Sequence, residues 1–145
     1  MFLRLLALGA LAGLPQPAGP PVAFYTTYSY VGYTVYDFTE GQPPTAVPGV
    51  GGTLTLRADG SYSKRLSLLL GDSGPRYFSQ QGRFSTLGDS IFFRFSDKNG
   101  PDVQRGTYQY EPTSRRLRIN LAGYPRGNHG DYELRALPAA GARRP

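Results

Sequence analysis

The chain has 145 residues, 39% hydrophobic and 18% charged, enough for one hydrophobic core and too few for two ordinary domains. Cysteine is absent, which excludes a disulfide framework, a thiolate metal site and a cysteine nucleophile. The formal charge is +6, and since Lys64 and Lys98 are the two lysines among sixteen basic residues, the other fourteen are arginines. These arginines are spread along the chain with one short cluster at Arg115, Arg116 and Arg118, the pattern of a solvated face, so no nucleic-acid partner is expected. Eleven Tyr and eight Phe favour strands, and nineteen Gly with thirteen Pro leave little room for long helices.

Residues 1–18 read as a signal peptide. Arg4 precedes an apolar run from Leu5 to Leu14, and Pro15, Gln16, Pro17 and Ala18 follow. The run is too short to cross a bilayer as a helix, and Gly9, Gly13 and Pro15 interrupt it as a core helix. The expected product is secreted or periplasmic, with no transmembrane segment in the mature chain. Residues 19–137 then form the folded domain, and residues 138–145, with Arg143 and Arg144, a disordered tail.

The segment from Phe24 to Phe38 counts as one long or bent strand. From Gly52, Thr53 to Ala58 alternate polar and apolar, the period of a half-buried strand. Asp59-Gly60 suits a tight hairpin turn, and Ser61 to Leu70 returns as the partner strand. Arg76 to Thr86 leads through Leu87, Gly88 and Asp89 into Ile91 to Phe95. After the turn-rich stretch Asp97 to Pro101, Asp102 to Tyr110 is extended again. Pro112 to Arg115 turns the chain into the alternating stretch around Leu117, Ile119 and Leu121, and Asp131 to Leu137 ends the ordered part. Leu54, Leu56, Phe93, Phe95, Leu117, Ile119 and Leu121 should share one buried face.

Gly60-x-Tyr62, Gly82-x-Phe84, Gly106-x-Tyr108 and Gly130-x-Tyr132 recur at an interval that fits one up-and-down pair of strands, so each Gly-x-aromatic is expected to begin an equivalent strand. No later segment carries a helical stripe. The fold expected is all-β, an antiparallel up-and-down meander of about eight strands closing into a barrel, because closure removes the aggregation-prone edges. A membrane barrel would need an apolar outer face, whereas Thr53, Thr55, Arg57, Arg116, Arg118 and Asn120 stand opposite the leucines and isoleucines.

Gly52-Thr53-Leu54-Thr55-Leu56-x-x-Asp59-Gly60-x-Tyr62, Gly82-x-Phe84, Gly106-Thr107-Tyr108, Leu117-x-Ile119-x-Leu121 and Tyr132-x-Leu134 together resemble the small bacterial lipocalin-like domains, over roughly residues 49 to 137. The resemblance implies a barrel that binds a small hydrophobic molecule. It carries over no functional residue: lipocalins proper have a Gly-x-Trp signature near the first strand, and this chain has no Trp.

No catalytic, metal or cofactor constellation stands out. His129, the single histidine, lies in the loop Gly127 to Asp131 and reads as a solvent-exposed residue without the partners that catalysis or metal binding needs. Asp97 to Asp102 offers oxygen ligands but lacks the alternation and closing carboxylate of a calcium loop, and reads as a turn. The tyrosines at 25, 28, 30, 33 and 36 fall on both faces of an extended strand and read as barrel wall or rim. Lys64 shares strand parity with Tyr62, Leu66, Leu68 and Leu70. An ammonium on that face marks the mouth of a pocket, a bulge turning it outward, or snorkelling at the rim. The candidate ligand site is therefore Lys64 with the hydroxyls of Tyr62 and Tyr108, receiving the acidic head of an amphipathic ligand such as a fatty acid. The function expected is non-catalytic binding of a small hydrophobic or amphipathic molecule inside the barrel; the alternative is a side-chain-filled barrel acting as an envelope or interaction module.

Overall fold

The computed structural model describes residues 19–138 except 40, 42 and 124. The expected signal peptide, and all of the expected tail but Pro138, lie outside the described residues. A 3-10 turn, Val22–Phe24, leads into nine antiparallel strands: β1 Thr27–Tyr36, β2 Thr45–Ala46, β3 Gly51–Leu56, β4 Ser61–Leu69, β5 Pro75–Leu87, β6 Ser90–Asp97, β7 Gly100–Glu111, β8 Arg116–Ala122 and β9 His129–Ala136. From β3 to β9 each strand pairs with the next, and β1 pairs with both β3 and β9, which closes eight strands into a barrel. The two-residue β2 adds to β1 at Thr34↔Ala46 and Val35↔Thr45. The all-β closed meander is thus as the pattern predicts. Among the described residues no helix is long and apolar enough to cross a membrane.

The turns follow from their residues. Arg57 N–H donates to Ser61 O at 3.0 Å and Gly60 N–H to Arg57 O at 3.0 Å, closing a short β3–β4 loop whose Gly60 has φ 87°, a left-handed conformation natural to glycine. The Asp59 carboxylate accepts from the Ser61 N–H at 2.8 Å and the Ser61 hydroxyl at 2.7 Å, which holds Asp59 below the usual carboxylate range. The Asp97 to Asp102 stretch, read from sequence as a turn, contains the β6–β7 hairpin, with Asp97 and Gly100 paired and Asp97 Oδ1 accepting from Asn99 N–H at 2.7 Å.

Three details differ from the sequence pattern. The long first strand is shorter and carries a bulge: its register against β9 shifts between Tyr30 and Gly32, so Val31, 52% exposed, swings outward. The extra residue brings Tyr33 to the same side as Tyr28 and Tyr30. Secondly, the Gly-x-aromatic repeat marks strand starts at two of its four positions. Gly60-x-Tyr62 and Gly130-x-Tyr132 open β4 and β9, while Gly82 and Gly106 lie in the middle of β5 and β7. Gly82 and Gly106 instead mark close backbone approaches: a Cβ on Gly82 would sit 2.0 Å from Arg94 O, and one on Gly106 1.8 Å from Asn120 O. Thirdly, Leu54, Leu56, Phe93, Leu117 and Ile119 are buried as expected, but Phe95 and Leu121 are only partly so, because both lie towards the open end.

That openness follows from an asymmetry between the two ends. At one end the 3-10 turn plugs the barrel with Phe24, fully buried and packed on Tyr25, Tyr108 and Tyr110 with ring centroids 5.3, 5.4 and 5.7 Å away. The Tyr28 hydroxyl donates to Phe24 O at 2.6 Å, locking the plug to β1. The other end, framed by the β4–β5 and β6–β7 turns, has no comparable plugging segment among the described residues and forms the mouth.

Candidate ligand-binding site

β4 pairs without a register shift on both sides, Leu54↔Lys64 with β3 and Lys64↔Gln80 with β5. Regular pleating therefore places Lys64 on the inner face with Tyr62, Leu66 and Leu68; β4 has no bulge to turn it outward. Burial lowers the Lys64 pKa from its ordinary value. Its ammonium makes no hydrogen bond or ion pair with any described residue. Asp97 lines the same groove but stays beyond ion-pair distance. By contrast Arg118, on the outer face of β8, is paired with Glu133 at 2.7 Å.

Lys64 sits where two spaces meet. Towards the plug, Tyr30, Leu54, Tyr62, Phe93 and Ile119 leave a void of about 10 Å³, no more than one water requires. Towards the mouth lies a solvent-open groove of about 960 Å³, floored by Lys64, Leu66, Leu68, Gln80, Phe95 and Gln104. The deep interior is filled by side chains, and free space begins at Lys64.

The three residues singled out from sequence do not act as one group. Tyr62 is beside Lys64 on β4, but it is 2% exposed and its hydroxyl already donates to Gln80 Oε1 at 2.8 Å. With its phenol pushed up to about 12 by burial, Tyr62 stays a neutral donor that orients Gln80. Tyr108 is at the wrong end: it packs on Phe24 and lines neither space around Lys64. The reason is register, since Gln104 is the β7 residue at the level of Lys64 and Tyr108 lies four residues further, roughly 13 Å along the strand.

Gln80 and Gln104 are the polar groups that the sequence reading missed, although each shares strand parity with an inward aromatic, Phe84 or Tyr108. Tyr33 also joins the mouth half of the interior, stacked on Tyr132 at 4.3 Å and 6°. His129 is not a free loop residue. It opens β9 and stacks on Tyr36 at 4.4 Å and 15°, and it lines neither space around Lys64.

In chemical terms the site offers one inward cation, two amide side chains and an apolar floor. That set suits an oxyanion with an attached hydrocarbon. Among the described residues no group of three or more His, Cys, Asp or Glu is arranged to hold a metal ion. No protein-family model matches the chain, and a search of the curated proteins finds no match.

Proposed function

We propose that this chain is an exported, lipocalin-like binding protein that holds a small amphipathic acid in the open mouth of its barrel. The observation that carries this reading is Lys64, an inward ammonium without a partner among the described residues, at the point where the packed interior gives way to the groove. Removing an ammonium from water is costly unless an anion compensates it, and a bound carboxylate supplies that anion. Gln80, held by Tyr62, and Gln104 add amide donors to the head group. Leu66, Leu68 and Phe95 take the hydrocarbon. The ligand thus lies above the core and not down the barrel axis.

The test is a titration of wild type and Lys64→Leu with a fluorescent long-chain fatty acid and its methyl ester. Selective loss of the acid in the variant is the expected result, and unchanged affinity for the acid would overturn the anchor. Export is checked by intact mass of secreted or periplasmic material, which should lack about the first 18 to 23 residues. A second reading, a side-chain-filled barrel acting as a non-catalytic envelope or interaction module, is favoured by the void of about 10 Å³ below Lys64. It expects neither acid nor ester to bind.

A further inference from the structure

The barrel wall is continuous at the plugged end and parted at the mouth. β5 and β6 pair from Leu87↔Ser90 to Gly82↔Phe95, yet β5 extends back to Pro75 and β6 on to Asp97. Among the described residues, 75–81 of β5 therefore have β4 on one side and no strand on the other, a free edge roughly 23 Å long. The groove runs through this seam. Its lining includes the inward Lys64 and Phe78 together with the outward Tyr77 and Ser79, which requires it to wrap round the edge of β5.

Backbone direction along that edge is set by the hairpin. Phe84 N–H donates to Gly60 O at 2.8 Å, so even-numbered residues of β5 turn their peptide groups towards β4. The alternation of the ladder then turns those of Tyr77, Ser79 and Gln81 into the seam. Rings 57% and 45% exposed, Tyr77 and Phe78, stand beside them. Such an edge is a template for another strand.

Charge selects the occupant. Residues 75–81, the free edge, include Arg76 and no carboxylate, in a chain of net charge +6. Where the strands part, Arg83 already faces Arg94 across β5 and β6. Their guanidinium groups donate to Asp59 O at 2.7 Å and to Ser85 Oγ at 3.0 Å, and neither has an ion pair among the described residues. Like charges set directly opposite cost stability, and an acidic partner offsets that cost.

We propose that the seam takes an acidic, extended peptide segment ending in a free carboxyl group, added as a strand along the β5 edge with its terminal carboxylate at Lys64. This rests on the reading of Lys64 as the receptor of an acid and names the class of that acid. The carboxylate goes deepest, so the segment runs parallel to β5, with acidic side chains facing Arg83 and Arg94. It lies two interstrand spacings from the β4 backbone, about 10 Å, within the joint reach of a lysine side chain and a terminal carboxylate.

The test uses the full chain and a fluorescein-labelled octapeptide of alternating valine and glutamate with a free carboxyl terminus. It is compared with its carboxyl-terminal amide, with two versions N-methylated on alternate residues, and with a fluorescent fatty acid. The free acid should bind at least tenfold more tightly than the amide, and Lys64→Leu should remove that preference. One methylation pattern should cost at least tenfold and the other little, because only one set of peptide groups faces β5. Ser79→Pro, which deletes an edge donor where proline is tolerated, should weaken the peptide and spare the fatty acid while the circular dichroism melt stays in place. Equal binding of both methylated peptides and their parent would overturn strand addition. Lys64-dependent fatty-acid binding without peptide binding would overturn it too, leaving the small-amphiphile reading intact. Loss of Lys64 dependence for both ligands would sink both.

Discussion

Ile119 and Arg118 are chain neighbours on β8 with opposite environments, and replacing each by alanine measures the barrel's inside against its outside. Ile119 is 2% exposed and pairs with Tyr108 and Tyr132 on the flanking strands. Ile119→Ala removes three carbons, about 2.4 kcal/mol at roughly 0.8 kcal/mol per buried methylene. A remaining cavity of about 50 Å³ adds roughly 1.2 kcal/mol, for a total near 3.6 kcal/mol. Arg118→Ala breaks an ion pair whose side chains are 54% and 55% exposed, a loss of about 0.2 to 1 kcal/mol. Urea denaturation followed by tyrosine fluorescence should therefore show a large fall in midpoint for Ile119→Ala and almost none for Arg118→Ala, with the slope unchanged. Equal shifts in the two variants would mean that the strand register is wrong.

Phe93→Ala, at another buried inner position, should cost about 3 to 5 kcal/mol in the same assay. Gly106→Ala should destabilise by about 3 kcal/mol, the upper end of overpacking costs, because its Cβ would meet Asn120 O at 1.8 Å; a thermal melt checks it. The folded Lys64 pKa lies below its ordinary 10.5, so between the two values the unfolded chain binds more protons and stability gains a component that rises with pH. Lys64→Met should therefore stabilise the protein at neutral pH, with the advantage shrinking as pH climbs towards 10.5. Tyr62 is pushed up to about 12 by burial, and Tyr28, Tyr30 and Tyr132 are raised further by the same cause. Their folded pKa values exceed the unfolded value near 10, so their contribution is complete below pH 10 and is lost as pH rises through the folded values. Alkaline unfolding monitored by tyrosinate absorbance should show delayed, cooperative ionisation.

Local pattern determined much of this molecule. Period-two alternation in Thr53–Leu56 and Arg116–Leu121, turn chemistry at Asp59-Gly60 and Leu87–Asp89, and the parity that places Lys64 with Tyr62 and Leu66 are all short-range properties of the chain. They were legible because a pleated strand puts alternate residues on opposite faces whatever its neighbours are. Tertiary pairing decided the rest. The bulge at Val31 appears only in the register of β1 against β9 and moves Tyr33 inside. The tight spots at Gly82 and Gly106 come from backbone on adjacent strands. Tyr62, Lys64 and Tyr108 have the same parity in sequence, yet the relative offset of β4 and β7 puts Tyr108 on the plug and Gln104 at the mouth. The seam beside β5 exists because β6 parts from it beyond Phe95, and no property of either strand alone specifies where two strands part. Parity assigns a face; only inter-strand register and closure assign a height along the barrel, and height is what separates a core residue from a site.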